Sequence, residues 1–185
     1  MKINTTPIPG LLLIETQRHG DDRGFFVEAF RANELAGAGI RSPFVQDNHS
    51  RSRQGVLRGL HYQLMQPQGK LVRVATGRVF DVAVDIRRGS PTFGQSFGVE
   101  LNDHDMTMVY VPPGLAHGFV VLSESADLLY KCTDYYHPNS ERGIAWNDPA
   151  LHIDWPETQV ALSDKDRQLP RLADVLEAEL PIYLD

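Results

Sequence analysis

The fold is decided by the stretch Arg78-Val79-Phe80-Asp81-Val82-Ala83-Val84-Asp85-Ile86-Arg87. Large apolar side chains occupy every second position, namely Phe80, Val82, Val84 and Ile86. The intervening positions carry Asp81, Ala83, Asp85 and Arg87. Successive side chains of a β-strand point to opposite faces, so this two-residue period predicts a strand with the large apolar residues on one face.

Similar segments recur along the chain, separated by fifteen glycines and twelve prolines. Further strands are predicted at 70–76, 96–101, 106–111 and 119–122. Helices are predicted at 31–38 and at 169–180, where apolar residues recur with a period near 3.6: Leu172, Val175, Leu176 and Leu180. Many short strands with few helices predict an all-β fold, either a sandwich or a double-sheet jelly roll, with short helices at its periphery.

The bulk properties restrict the class of protein. A length of 185 residues predicts a single domain over residues 1–185. The formal net charge of −6 repels phosphate polymers, so we expect no nucleic-acid partner. Cys132 is the only cysteine, which excludes an internal disulfide and suits a reducing compartment. Residues 1–10 lack an export-signal pattern and no apolar run reaches membrane-spanning length, so we expect a cytoplasmic protein without membrane association.

Three polar stretches adjoin the predicted strands and concentrate side chains that carry chemistry. They are Gln46-Asp47-Asn48-His49, Arg58-Gly59-Leu60-His61-Tyr62-Gln63 with Gly69-Lys70, and Pro112-Pro113-Gly114-Leu115-Ala116-His117-Gly118-Phe119. The Pro-x-Gly-x-x-His pattern of the third, together with the strand histidine of the second, resembles the two signature motifs of the cupin superfamily. That resemblance implies a double-stranded β-helix, or jelly roll, with a central pocket.

The second stretch departs from the metal-binding members of that superfamily. Those proteins carry a His-x-His step followed by an acidic residue, whereas this chain has His61-Tyr62-Gln63 in the step and Lys70 downstream. Imidazole, carboxylate and thiolate are the usual ligands of first-row metals, and an ammonium group repels a divalent cation. We therefore expect no metal, and a metal-dependent cupin oxygenase is a disfavoured alternative.

A pocket that holds a histidine and a lysine without a metal is suited to proton transfer. Imidazole titrates near neutral pH, so His61 is a candidate general base. Lys70 is a candidate to stabilise negative charge on a neighbouring oxygen, and Tyr130, on a late strand, is a candidate acid. Together the three predict enolate chemistry beside a ketone.

Each of these residues also has a structural interpretation. Tyr130 could be a core tyrosine, His61 a core histidine with satisfied hydrogen bonds, and His117 a cap for the turn after two prolines. Lys70 could lie in a solvated turn, and Arg58 could be a surface charge. Only the combination favours a catalytic site.

A series of short motifs runs in order along most of the chain. They are Gly20-Asp21-Asp22-Arg23-Gly24-Phe25-Phe26, Phe44-Val45-Gln46-Asp47-Asn48-His49-Ser50, Val56-Leu57-Arg58-Gly59-Leu60-His61, Gly69-Lys70-Leu71-Val72-Arg73, Phe80-Asp81-Val82-Ala83-Val84-Asp85, Ala116-His117-Gly118-Phe119, Leu129-Tyr130-Lys131 and Trp146-Asn147-Asp148-Pro149. This combination resembles the dTDP-4-dehydrorhamnose 3,5-epimerase family. The resemblance implies a homodimer that needs no metal and no other cofactor, with His61 as base and Tyr130 as acid.

The same resemblance implies roles for further positions. Residues that would contact the sugar nucleotide are Arg23, Phe25, Glu28, Gln46, Asp47, Asn48, Arg58, Lys70, His117, Tyr136, Glu141 and Lys165. Guanidinium groups suit a diphosphate, and the flat ring of Tyr136 suits packing against the nucleotide. Two carboxylates compete as the partner of His61, and the family's Ser-x-Lys-Asp pattern favours Asp166 over Asp164.

From this resemblance we expect epimerisation of dTDP-4-dehydro-6-deoxy-D-glucose at C3 and C5, giving dTDP-4-dehydro-β-L-rhamnose for dTDP-L-rhamnose biosynthesis. One alternative is an enzyme that inverts a single carbon of a related dTDP-4-keto-deoxysugar. Another is a nucleotide-sugar binding module without activity, which the intact set of His61, Lys70 and Tyr130 disfavours.

Overall fold

The computed structural model describes residues 1–184, which form two antiparallel β-sheets that enclose a common core. The six-stranded sheet has the order β1 (Lys2–Thr5), β2 (Leu12–Glu15), β10 (Met108–Val111), β7 (Lys70–Thr76), β12 (Ser125–Cys132) and β5 (Gln46–Arg53). The five-stranded sheet has the order β13 (Glu141–Gly143), β6 (Leu57–Gln63), β11 (Leu115–Val121), β8 (Arg78–Asp85) and β9 (Ser96–Asn102). A separate hairpin pairs β3 (Arg18–Asp21) with β4 (Gly24–Val27). This architecture confirms the predicted all-β jelly roll.

The space between the two sheets holds an apolar cluster to which both contribute. Val72 and Leu128 enter it from the six-stranded sheet, and Val79 and Ala83 enter it from β8 of the five-stranded sheet. Asp81 lies on the same face of β8, since side chains alternate, and it is 1% exposed. The interior between the sheets therefore contains buried polar groups as well as the core.

The other face of β8 packs outward, against the C-terminal part of the chain. Its Val82 and Val84 are fully buried in a second cluster with Leu151, Trp155 and Leu180. Full burial of an aliphatic side chain is worth roughly 1.5–3 kcal/mol, so this cover stabilises the strand strongly. Both faces of β8 are covered, and its polar face is the one that points into the interior.

Helix α1 (Ala32–Gly37) confirms the helix predicted at 31–38. It covers the outer face of the six-stranded sheet, where Leu35 packs with Leu71 and Met108. A second helix, α2 (Asp164–Arg167), is a single turn. Among residues 1–184, no helix is both long enough and apolar enough to cross a membrane.

The helix predicted at 169–180 is wrong. The segment instead forms two short 3-10 turns, Leu172–Asp174 and Glu177–Glu179. Its backbone is bonded to the rest of the protein: the hydroxyl of Tyr62 donates to the carbonyl oxygen of Glu179 at 3.0 Å. The apolar residues of this segment do not all face the core, because Leu176 is 69% exposed. Tertiary hydrogen bonds and packing replace the helix.

Strands form in all the segments where they are predicted. The strand at 70–76 has its predicted ends, and the ends are shifted in the strands predicted at 78–87, 96–101, 106–111 and 119–122. The strand predicted at 106–111 begins late because Met106 has a φ of 52°, in the left-handed region that strands do not use. The strand predicted at 119–122 begins early, at Leu115. His117 therefore lies inside a strand, and its interpretation as a turn cap is wrong.

Candidate active site

Strand register places two histidines side by side on the five-stranded sheet. Strand β11 pairs with β6 so that His117 stands opposite His61. The two strands approach closely at a pair of glycines, where a Cβ on Gly59 would lie 2.6 Å from the Cα of Gly118. Only glycine fits there without backbone movement, so the glycines permit the pairing that brings the histidines together.

Two adjoining cavities of about 480 Å³ and about 320 Å³ form the lobes of one cleft, because His61, Lys70 and Tyr130 line both. The larger lobe also contacts Arg58, His117, Phe119, Leu128, Lys165 and Asp166. The smaller lobe also contacts Gln46, Asn48, Tyr136 and Glu141. The strands thus gather most of the predicted site residues around one space.

A buried carboxylate holds the imidazole of His61. Its Nε2 lies 2.6 Å from Oδ1 of Asp166, whose side chain is 5% exposed. Burial raises the pKa of Asp166, but hydrogen bonds from His61 and Ser163 and the charge of His61 outweigh burial and bring this pKa below its ordinary value. Asp164, the competing candidate, has a side chain that is 97% exposed. The structure places Asp166, not Asp164, against His61.

Helix α2 sets the position of Asp166. The hydroxyl oxygen of Ser163, at the N-terminal cap, accepts a hydrogen bond from the backbone N–H of Asp166 at 3.1 Å. A Ser-x-x-Asp pattern is a signal for such a cap, and it would have predicted this helix. The other ring nitrogen of His61, Nδ1, lies 4.0 Å from a carboxylate oxygen of Glu141. One nitrogen is thus bound by Asp166 while the other faces the cleft.

Lys70 and Tyr130 reach the cleft from the six-stranded sheet. Burial lowers the pKa of the Lys70 ammonium group, although the charges of Cys132 and Glu141 act in the opposite direction. Burial raises the pKa of Tyr130, so its phenol keeps its proton at neutral pH. An amino group whose pKa is lowered by burial and a protonated phenol therefore face the imidazole of His61 across the cleft.

Glu141 joins two side chains at the wall of the smaller lobe. Its carboxylate accepts hydrogen bonds from the Tyr136 hydroxyl at 2.7 Å and from the Lys165 ammonium group. Burial raises the pKa of Glu141, but the bonds to Lys165 and Tyr136 and the charge of His61 prevail and lower it. The bond to Glu141 also raises the pKa of Tyr136 to about 12. The Tyr136 ring is held in place while it remains 48% exposed.

Arg58 and Asn48 add to the polar lining of the cleft, whereas Asp47 does not. The Nε of Arg58 donates to the hydroxyl of Ser52 at 3.0 Å, and its side chain lines the larger lobe. Asp47 points to the opposite face of β5 from Asn48, where its carboxylate pairs with Lys131 at 2.8 Å. Asp47 lines neither lobe.

Three predicted substrate contacts lie on or beside the β3–β4 hairpin, away from the cleft. Arg23 pairs with Asp21 at 2.5 Å, and its side chain is 90% exposed. Phe25 is half exposed, and Glu28 pairs with Arg31 at 2.6 Å. None of the three lines either lobe of the cleft in its own chain.

The sequence motifs predict no role for Asp81, which the structure places against His117. Nε2 of His117 lies 2.9 and 3.0 Å from the two carboxylate oxygens of Asp81. Alternation along β8 puts Asp81 on one face with Val79 and Ala83, and the structure shows that this face points into the interior. Within residues 1–184, no group of three or more His, Cys, Asp or Glu side chains is placed to hold a metal ion.

Known proteins of high similarity share this site's scaffold. The family model described as dTDP-4-dehydrorhamnose 3,5-epimerase matches residues 5–174. The dTDP-4-dehydrorhamnose 3,5-epimerase of Pseudomonas aeruginosa is 57% identical, over 94% of this chain and 97% of that protein.

Solved structures agree with the family match. The dTDP-6-deoxy-D-glucose-3,5-epimerase of Legionella pneumophila, in complex with dTDP-4-keto-L-rhamnose, has a TM-score of 0.97 at 54% identity, covering 100% of this chain and 99% of that chain. A 3'-monoepimerase of Streptomyces bikiniensis, in complex with dTDP-quinovose, has a TM-score of 0.91 at 37% identity, covering 96% and 92% of the two chains. The chain belongs to the dTDP-4-dehydrorhamnose 3,5-epimerase family.

Proposed function

We propose that His61 and Tyr130 carry out the reaction of this family from opposite sides of the cleft. The reaction is epimerisation of dTDP-4-dehydro-6-deoxy-D-glucose at C3 and C5, which gives dTDP-4-dehydro-β-L-rhamnose. The observation that carries the proposal is that His61 enters the cleft from the five-stranded sheet and Tyr130 enters it from the six-stranded sheet. Inversion of a carbon needs a base on one side and an acid on the other, and two opposed sheets provide both.

His61 is the proposed base. Asp166 accepts a hydrogen bond from Nε2 at 2.6 Å, which fixes the tautomer and leaves the lone pair on Nδ1 for the substrate. When the ring takes a proton from carbon, the ionised Asp166 stabilises the imidazolium. General base catalysis by a positioned side chain contributes about 100- to 10,000-fold.

Lys70 is the proposed stabiliser of the enolate. When a proton leaves C5 or C3, the electron pair of the broken C–H bond moves toward the C4 oxygen, which becomes negatively charged. An ammonium group already in place in a partly dry cleft offsets that charge without reorganisation. Lys70 lines both lobes, so it reaches the point where they meet.

Tyr130 is the proposed acid. Because burial raises the pKa of its phenol, the proton is present at neutral pH and is given up only to the carbanionic carbon of the enolate. Its transfer restores the C4 ketone and inverts the carbon. His61 then releases its proton to solvent and Tyr130 regains one, after which the pair acts on the second carbon.

The smaller lobe and the cations beside it fit the nucleotide. Tyr136 presents an exposed ring for the base, and Gln46 and Asn48 present amides for its polar edges. Arg58 and Lys165 supply positive charge for the diphosphate. The dTDP-4-keto-L-rhamnose bound to the Legionella pneumophila relative supports a ligand of this chemistry here.

We further propose a cytoplasmic homodimer, without nucleic-acid or membrane partners, in which the hairpin of one subunit completes the cleft of the other. The resemblance assigns substrate contacts to Arg23, Phe25 and Glu28, yet all three lie outside the cleft of their own chain. Exchange of the hairpin between subunits would bring them to a substrate.

Incubation of the protein with dTDP-4-dehydro-6-deoxy-D-glucose in heavy water tests the proposed reaction. Wild-type protein should place deuterium at C3 and C5, detected by NMR. His61→Asn should slow this exchange by about 100- to 10,000-fold while dTDP still binds. A wild-type protein that leaves both carbons unlabelled would contradict the function, and undiminished exchange in the variant would show that another residue is the base.

Inversion of one carbon is a second candidate, favoured by the TM-score of 0.91 with the Streptomyces bikiniensis 3'-monoepimerase. The same residues would serve it, because removal and return of a proton at C3 need the same base and acid. The configuration of the accumulated product, determined by NMR coupling constants, separates the two candidates.

A further inference from the structure

The interior holds a second pair of an imidazole and a carboxylate, formed by His117 and Asp81. The His117 Nε2 lies 2.9 Å from Oδ2 and 3.0 Å from Oδ1 of Asp81, and the two side chains are 8% and 1% exposed. In the pair of His61 and Asp166 the corresponding exposures are 26% and 5%. In both pairs Nε2 of the histidine contacts a carboxylate, but the pair of His117 and Asp81 is less exposed to solvent.

Strand register builds this second pair. Strand β8 pairs with β11 so that Ala83 stands opposite His117 and Asp81 stands opposite Phe119. The Asp81 carboxylate therefore reaches the imidazole diagonally across one face of the sheet. On the other side of β11, His117 stands opposite His61. The second pair is thus a direct neighbour of the proposed base.

Packing does not account for the presence of this pair. Buried polar groups cost stability unless every one is bonded, and replacing a buried pair by apolar residues is often neutral or stabilising. Val79 and Ala83, which flank Asp81 on the same face of β8, show that apolar side chains fit at neighbouring positions. His117 also lines the larger lobe of the cleft, so the pair has access to a ligand.

We propose that Asp81 is a positioning residue that orients the ring of His117, so that Nδ1 accepts a hydrogen bond from a hydroxyl group of the sugar. A carboxylate only accepts hydrogen bonds, so Nε2 carries the hydrogen and Nδ1 of the neutral ring is the acceptor. Nδ1 has no hydrogen-bond partner in the part of the chain that the structure describes.

This inference rests on the proposed function and deepens it. A sugar that reacts at two carbons in turn has to keep its ring in place between the two proton transfers. An acceptor with a fixed direction, which takes no part in either transfer, supplies that constraint. His117 stands beside His61 and lines the same lobe of the cleft as Lys70, which is where such a constraint is useful.

Asp81→Asn tests the inference. The new amide can donate to Nε2 and so favours the tautomer with its hydrogen on Nδ1. We expect the nitrogen-15 chemical shifts of the two His117 ring atoms to exchange their protonated and unprotonated values, in protein without substrate. We also expect kcat/KM to fall about tenfold, the effect of one misdirected hydrogen bond.

A double-mutant cycle separates positioning from folding. If Asp81 acts through His117, then Asp81→Asn should have no further effect on kcat/KM in a protein that carries His117→Gln. Should Asp81→Asn not fold, His117→Gln alone carries the test and should show the same tenfold loss, about as large as one hydrogen bond. Full additivity, or an unchanged kcat/KM in His117→Gln, would overturn the inference.

Asp85→Asn is the matched control. Asp85 is fully buried on the same strand, but its carboxylate binds Arg87 and Ser90, outside the cleft. We expect this variant to lower Tm while kcat/KM of the folded protein is unchanged. An Asp81→Asn protein that behaves in the same way, with wild-type ring shifts, would assign Asp81 a structural role. Since the shifts are read without substrate, they separate a failure of this inference from a failure of the proposed reaction.

Discussion

The cleft and the β3–β4 hairpin both carry residues that the family resemblance assigns to the substrate, but the fold treats the two regions differently. In the cleft, His61, Lys70 and Tyr130 come from three strands of two sheets and line the same cavities. On the hairpin, Arg23 and Phe25 are exposed and line neither lobe. A motif can assign a residue to a site, but strand pairing decides whether one chain can assemble that site.

The energetics of the two regions also differ. The strands of the cleft are covered by apolar clusters on both sides, so the positions of their side chains are strongly determined. The hairpin consists of two strands, and seven of their eight residues are exposed. A lone two-stranded hairpin is marginally stable in water. Contact with a second surface would stabilise the hairpin, which agrees with the proposed exchange between subunits.

The largest expected effect is on the cleft side of the comparison. Asp166→Asn should lower kcat by on the order of 100-fold, because the amide no longer fixes the tautomer of His61 or stabilises its charged form. Asp164→Asn is the control two residues away, and its 97% exposed side chain predicts an unchanged kcat. Product formation followed by NMR gives both values. Equal losses in the two variants would mean that Asp166 does not orient the base.

A smaller effect is expected on the hairpin side. If Arg23 makes the proposed charge-assisted contact to the diphosphate, Arg23→Ala should raise KM about tenfold with little change in kcat, because the proton-transfer groups stay in place. Steady-state kinetics at several substrate concentrations provide the two constants. An unchanged KM would remove Arg23 from the binding site.

Mixed dimers show which subunit the hairpin serves. A dimer of one Arg23→Ala subunit and one His61→Asn subunit has an intact His61 in the first chain and an intact hairpin in the second. If hairpins are exchanged, these two complete one wild-type site, and the mixture gains activity with the wild-type KM. If each hairpin serves its own chain, mixing restores nothing.

Local patterns predicted the strands well and their surroundings less well. The alternation at 78–87 predicted a strand, but alternation alone does not tell which face points inward. The large apolar face of β8 packs outward, beneath Leu151 and Trp155, and Asp81 points inward. These partners are distant in sequence, so the role of Asp81 could not be read from the strand itself.

The other differences between prediction and structure also come from contacts with residues that are distant in sequence or outside the chain. The apolar period at 169–180 predicts a helix, but Tyr62, Ala145 and Asp148 bond its backbone and hold it in turns. The residues that converge on the cleft were predicted from the family resemblance, because its motifs lie on strands that pair. The location of Arg23 could not be predicted, since in the proposed dimer it depends on a surface outside the chain.

The smallest expected effect compares one ion pair from each region. In the six-stranded sheet, Arg51 on β5 binds Asp127 on β12 through two hydrogen bonds of 2.7 and 2.6 Å. The side chain of Asp127 is 6% exposed. On the hairpin, the side chains of Arg23 and Asp21 are 90% and 52% exposed. Solvent screens exposed ion pairs. Arg23 and Asp21 are also two residues apart in one turn, so their ion pair does not link distant parts of the chain. Asp127→Asn should therefore lower Tm by a few degrees, and Asp21→Asn should leave it unchanged.

The pH dependence distinguishes lost charge from lost packing. The bond from Arg51 outweighs burial and, with His49, lowers the pKa of Asp127 from 3.8 to about 2. Because the folded-state pKa is below the unfolded value, the ion pair stabilises the protein fully above the unfolded value and is lost as pH falls through the folded value. The Tm difference between wild type and Asp127→Asn should thus be constant near neutral pH and shrink as pH falls from 3.8 toward 2. Thermal melts followed by circular dichroism measure it. If the Tm difference between wild type and Asp127→Asn persists in acid, the amide disturbs the packing of β5 on β12. The charge of Asp127 would then add no stability to the β5–β12 pairing.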